Sequence, residues 1–111
     1  MPEARLAAGL WVDAYRQRLQ IEGIPVYVAR RGDATAGAII VKLATLDGKA
    51  VAFHRVPDLL TGGRDWAELT KGPEAEVDLA INRQAAFDPD LWVIEVEDRQ
   101  GRHCLDEPGL D

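Results

Sequence analysis

Residues 36–56, AGAIIVKLATLDGKAVAFHRV, decide how the chain folds. Two apolar, β-branched runs flank Asp47-Gly48, a pair that tolerates the positive φ angles of a tight hairpin turn. The spacing predicts antiparallel strands over 36–45 and 49–56, joined by a two-residue type I′ turn within Leu46–Lys49. That turn sets the register: 46 faces 49, 44 faces 51, 42 faces 53, and on the alternate side 43 faces 52, 41 faces 54 and 39 faces 56. One side then presents Ile39, Val41, Leu43, Ala52 and Val56, with His54 among them. The other presents Ile40, Lys42, Phe53 and Arg55 and is half-buried.

Working back towards the N-terminus, IPVYVARR (24–31) reads as a further strand. Before it, Ala8, Trp11, Val12, Tyr15 and Leu19 recur at spacings of three and four, with Asp13, Arg16, Gln17 and Gln20 opposite. This pattern predicts an amphipathic helix from Glu3 to Glu22. Gly23 supplies the left-handed stop and Pro25 prevents continuation.

Working forward, PDLLTGGRDWAELTKGP (57–73) has mixed polarity and is expected to be an irregular connection, with Gly62-Gly63 as its flexible point. Pro73 suits a first helical position, with Glu74, Glu76 and Asp78 complementing the helix dipole and Asp88-Pro89 ending the helix. In LWVIEVED (91–98) alternation places Trp92, Ile94 and Val96 on one face and Leu91, Val93, Glu95 and Glu97 on the other. Asp98–Gly101 fits a type I turn, after which His103–Leu105 is a candidate short strand. The fold expected is α+β, two helices on one face of a mostly antiparallel sheet of four to five strands, in the order α-β-β-β-α-β-(β).

A chain of 111 residues makes one domain, 1–111, with 106–111 expected to fray. Its single cysteine, Cys104, permits no intrachain disulfide, and the N-terminus has no uninterrupted apolar leader, so a cytoplasmic protein is expected. No run is long enough to span a bilayer. The net charge of −6 argues against general nucleic-acid or anionic-membrane binding. Residues 1–31 carry five basic and three acidic side chains, whereas 72–111 carry three and eleven. Opposite ends of this kind can attract within one molecule or across a homodimer.

Several residues are candidates for chemistry. Asp88, Asp90, Glu95 and Glu97 gather carboxylates of the kind that hold Mg²⁺, with Asp90, Glu95 and Glu97 as the candidate ligand set. The competing reading is a solvated strand face with capping aspartates, and it carries more weight. His54 on an apolar face is the candidate catalytic group, against a plain structural histidine. Cys104 and His103 point to opposite faces if extended and do not suggest a nucleophile pair. Arg16, Arg18, Arg30, Arg31, Lys42 and Arg55 would form an anion-binding patch if the first helix crossed the first hairpin. Arg18 pairs with Glu22 at i, i+4, however, and the C-terminal acids can neutralise the rest, so solvated charge carries more weight. Of the three tryptophans, Trp66 is placed where exposure is expected. The binding candidates are therefore Trp66, Arg30, Lys42, Phe53 and Arg55. No phosphate-loop, dinucleotide or zinc-protease pattern occurs, so no cofactor is expected.

GLWVDAYRQRLQIEG (9–23), AGAIIVKLATLDGKA (36–50) and FDPDLWVIEVEDRQGRH (87–103) together resemble a family of small bacterial proteins known as domain of unknown function 1491. The resemblance runs from about Arg5 to Glu107, and its last segment is the most specific. It implies a single-domain cytoplasmic protein of a proteobacterial family without an assigned activity or catalytic residues. The functional expectation is a non-enzymatic protein- or ligand-binding module, meeting an unknown protein partner or itself. The alternative is a divalent-metal-dependent hydrolase of phosphate esters using Asp90, Glu95 and Glu97, with His54 or Lys42 assisting.

Overall fold

The structure, a computed structural model, describes residues 6–106. The first residues of the expected N-terminal helix and the tail from 107 lie outside them. The elements are α1 (Ala8–Ile21), β1 (Val26–Arg30), β2 (Ile39–Ala44), β3 (Lys49–Pro57), β4 (Arg64–Pro73), α2 (Glu74–Phe87) and β5 (Trp92–Glu97). The five strands form one sheet in the order β1-β5-β2-β3-β4. Only the β2–β5 pair is parallel, so the α+β, mostly antiparallel reading holds.

Helix α1 stops as its sequence dictates. Gly23 takes φ 73°, and the Ile24 and Gly23 amides donate to the Leu19 and Gln20 carbonyls at 2.9 and 3.0 Å, the two bonds of a Schellman stop. No side chain caps its start. Instead, the Ala8 and Gly9 amides donate to the Thr35 and Ala34 carbonyls at 3.2 and 2.8 Å, so the loop before β2 supplies the cap.

The hairpin at Asp47-Gly48 forms with a different register. Thr45, not Leu46, closes on Lys49, and the loop holds three residues. Leu46 (φ 62°) and Gly48 (φ 85°) are both left-handed, and Asp47 Oδ1 accepts from Thr45 Oγ1 (2.6 Å) and the Lys49 amide (3.1 Å). The pairs are Ala44↔Ala50, Leu43↔Val51, Lys42↔Ala52 and Val41↔Phe53, one residue from the expected set. Because side chains alternate, this slip moves every β3 side chain to the other face. Phe53 and Arg55 join Val41, whereas His54 joins Ile40 and Lys42.

The helices cover opposite faces of the sheet, which corrects the expectation of one shared face. Helix α1 lays Trp11, Val12, Tyr15 and Leu19 over Val41, Leu43, Ile94 and Val96. Helix α2 lays Val77 and Ile81 over Ile40, Ala50, Ala52 and Val93. The reason is in β2 and β5: both are interior strands, apolar on alternate and intervening positions alike, and each face needs its own cover.

Two further expectations are corrected. The 57–73 segment contains β4, a ten-residue edge strand, rather than an irregular connection. Its register jumps from Ala52↔Thr70 to Phe53↔Glu68, leaving Leu69 as an extra residue that breaks the period-two signal. No strand forms over His103–Leu105: Cys104 takes φ 58°, the Tyr15 hydroxyl donates to the His103 carbonyl at 2.6 Å, and Leu105 drops into the α1 core.

Candidate functional site

Strands β2 and β3 stay paired only from Ala44↔Ala50 to Val41↔Phe53. Beyond that point β2 continues against β5 to Ile39↔Trp92, while β3 continues against β4 to Pro57↔Arg64. The sheet therefore forks, and β3–β4 becomes an arm whose tip is residues 58–63. A cleft of about 360 Å³ opens in the fork, bounded by the start of β2 and the loop before it, the arm, the start of α1 and the end of α2.

Its walls are fixed from several directions. In the loop before β2, Asp33 Oδ2 accepts from the Thr35 (3.1 Å) and Ala36 (2.8 Å) amides. The Asp33 amide donates to the Asp90 carbonyl at 3.0 Å, and its carbonyl accepts from Trp92 Nε1 at 2.7 Å. Gly32 and Gly37 lie so close to the Asp90 carbonyl that a Cβ at either would run into it. On the arm, the Arg55 guanidinium sits 5.1 Å from the Trp11 ring and 4.9 Å from the Trp66 ring, and the two indoles are 5.2 Å apart. Cation–π contact with both rings holds the guanidinium beside the indole pair. Thr35, His54, Arg55, Arg64, Gln84 and Asp88 supply the polar lining.

Of the sequence-based candidates, His54 and Arg55 reach this cleft, and Trp66 backs Arg55. Trp66 is half-buried against Trp11 rather than presented as an open stacking surface. The others are placed elsewhere. Arg30 donates to the carbonyls of Leu91 (2.5 Å), Asp88 (3.4 Å) and Pro89 (3.4 Å), tying β1 to the turn after α2. Phe53 packs against the His103 ring at a 53° tilt, with centroids 4.7 Å apart.

Lys42 is buried, 4% exposed, on the α2 face. Its ammonium lies 2.7 Å from Asp78 Oδ1, 2.8 Å from Glu74 Oε2 and 3.1 Å from Glu95 Oε1. Glu74 and Asp78 are one helical turn apart, so both reach the same cation. Burial opposes the charged form, yet the hydrogen bonds to Asp78, Glu74 and Glu95 outweigh it and raise the Lys42 pKa above its ordinary value. Lys42 is a fixed cation and not a base.

The candidate metal ligands do not converge. Glu95 is held by Lys42, and Glu97 Oε1 accepts from the Tyr27 hydroxyl at 3.0 Å. Asp90 is exposed in the turn before β5, where its amide donates to Asp88 Oδ1 at 3.0 Å. Among the described residues no three His, Cys, Asp or Glu side chains gather where a cation could be held. No described helix is long and apolar enough to cross a membrane.

Sequence reasoning missed Arg64, Gln84 and the 35–38 backbone as parts of one cleft. No local pattern marks a fork, because it exists only where β2 and β3 each choose a different neighbour.

Residues 6–106 match the family model described as Protein of unknown function (DUF1491). The crystal structure of a DUF1491 family protein from Caulobacter crescentus CB15 superposes with a TM-score of 0.82 at 38% identity, covering 95% of this chain and 97% of that one. An NMR structure of a DUF1491 family protein from Caulobacter crescentus CB15 gives 0.81 at 39% identity, with 96% and 97% covered. The solution structure of a protein from A. tumefaciens gives 0.72 at 26% identity, with 85% and 86% covered. No curated protein matches the chain. The chain belongs to the DUF1491 family.

Proposed function

We propose that this member of the DUF1491 family is a non-enzymatic binding module that receives its ligand at the forked end of the sheet. The observation that supports this reading is the cleft itself: five segments distant in sequence converge on it, and it combines Arg55 held against two indoles, the imidazole of His54 and an apolar floor. Concave sites with a few convergent polar groups are where small ligands bind. The sheet edges are poorer candidates. Both β1 and β4 are interrupted by bulges and β4 carries Asp65, Glu68 and Lys71, features that discourage strand addition.

The same end carries exposed apolar side chains, Leu59 and Leu60 at the arm tip and Phe87 at the end of α2. On this reading they form the rim that a protein partner or a second copy would cover. A single half-buried cysteine is in keeping with a reducing, cytoplasmic setting. The hydrolase alternative has no observation in its favour, since Asp90, Glu95 and Glu97 have separate partners or surroundings.

The reading is tested by amide correlation spectra of the labelled protein against a chemically diverse fragment set. Perturbations should converge on 35–40, His54, Arg55 and Gln84. Convergence on another surface, such as the hollow beside Gly101–Cys104, would refute it.

A further inference from the structure

We propose that residues 103–105 form a proton-operated latch, closed while the His103 imidazole is neutral and released when the ring takes a second proton. It is separate from the cleft, which lies at the start of α1, whereas the latch lies beside the end of that helix. Three contacts hold the segment. His103 Nδ1 accepts from the Leu105 amide at 3.0 Å, the His103 carbonyl accepts from the Tyr15 hydroxyl at 2.6 Å, and Leu105, 6% exposed, enters the core cluster that includes Tyr15, Leu19 and Ile24. Between them Cys104 is held at φ 58°, a left-handed angle that a residue with a Cβ adopts at a cost. Such a conformation persists only while its contacts do.

The first of these contacts depends on a lone pair. An imidazole nitrogen accepts a hydrogen bond only in the neutral ring, and the bond to Nδ1 places the ring proton on Nε2. A second proton goes to Nδ1, where it faces the Leu105 N–H donor to donor. The bond is then lost, and the amide of a buried residue is left without its partner. Relief comes from turning the ring away from Phe53 or from lifting Leu105 out of the core, and either uncovers apolar surface under the end of α1. The surrounding charges come from several elements. Helix α1 presents the Tyr15 hydroxyl and, at its C-cap, Glu22, while the segment itself presents Arg102, Cys104 and Asp106. Asp98, after β5, holds Arg102 at 3.1 Å. Strand β3 meets the ring with Phe53, an uncharged side chain. Among these side-chain types imidazole is the one that ordinarily changes charge between about pH 5 and 8.

The test follows the full chain by NMR from about pH 7.5 to about pH 5, the range that brackets imidazole titration. The ring nitrogen shifts of His103 should show the Nε2–H form at the upper end and the doubly protonated ring at the lower. Across the same midpoint the Leu105 amide should lose at least about ten-fold in protection from hydrogen exchange, after correction for the intrinsic pH dependence, the scale of one hydrogen bond lost to a buried donor. The Tyr15 ring resonances should move with it, and the Val77 amide on the opposite face should keep its protection. His103→Asn sets Oδ1 as many bonds from the backbone as Nδ1 and does not titrate, so Leu105 should stay protected throughout. His103→Phe keeps a ring against Phe53 without an acceptor and should lower Leu105 protection at every pH. A ring that stays neutral at the lower end, an Nδ1–H form at the upper end, or Leu105 protection unchanged while the ring titrates would each overturn the latch. An acid-induced loss of the same size in His103→Asn would overturn it too, because the proton would then act elsewhere.

Discussion

Replacing Lys42 with Met tests how the α2 face is held together. The substitution keeps an apolar stem of similar length but removes the ammonium that bridges Glu74 and Asp78 of α2 to Glu95 of β5. Breaking a buried ion pair by deleting one partner costs about 3–5 kcal/mol when the remaining charge stays desolvated. Here the three carboxylate side chains are 39%, 48% and 35% exposed, so water recovers part of that cost. The expected loss is roughly 2–3 kcal/mol, a fall of about 8–12 °C in midpoint for a domain of this size. Urea unfolding followed by circular dichroism measures it, and an unchanged slope would show that the unfolded state is not the cause. A second substitution gives the argument its sign. In Lys42→Met, adding Glu95→Gln removes one of three mutually repelling carboxylates and should restore stability, whereas Glu95→Gln in the native chain should destabilise. Salt should likewise stabilise the Lys42→Met protein more than the native one. If Lys42→Met changed stability by less than about 0.5 kcal/mol, or if Glu95→Gln destabilised both backgrounds equally, the ammonium would not be what fastens α2 to the sheet.

Two further outcomes follow from the same physics. Burial, followed by interaction with Cys104, raises the Tyr15 pKa, and hydrogen bonding raises that of Lys42. Both groups keep their protons in the folded state at a pH where the unfolded chain, titrating near 10 and 10.4, has lost them. Their contributions are thus complete below about pH 10 and are lost as pH rises towards the folded values, and Tyr15→Phe or Lys42→Met should each flatten the alkaline decline in unfolding free energy by up to roughly 1.4 kcal/mol per pH unit above about pH 11. A decline of unchanged steepness in both variants would contradict the assignment. Gly37→Ala drives a methyl group into the backbone carbonyls of Asp90 and Asp33 and should cost about 1–3 kcal/mol in the same urea assay, while Gly62→Ala in the open arm tip, strained by its φ of 74° but meeting no neighbour, should cost less. Equal costs at the two positions would show that the close approach at Gly37 is not maintained.

Much of the local architecture is legible in the sequence. The stripe Trp11, Val12, Tyr15 and Leu19 marks α1, and Gly23 ends it because a left-handed residue closes the last turn in place. The alternation in 91–98 correctly separates Trp92, Ile94 and Val96 from Leu91 and Val93. These signals involve residues within a turn or a strand of one another. The arm strand β4 escaped because Leu69 interrupts its alternation, and the register slip arose because Leu46 accepts a positive φ that a two-residue turn would have left to Asp47 and Gly48.

The sequence by itself determined both helices, four of the five strands and where α1 stops, because propensity, periodicity and turn chemistry act over a few residues. Tertiary structure alone decided that β5 inserts between β1 and β2, that the helices take opposite faces, that Glu95 is captured by a lysine 53 residues away and that β2 and β3 part to leave a cleft. Each of these is a choice among distant partners with similar apolar or charged faces. Only burying all of those faces at once selects one arrangement.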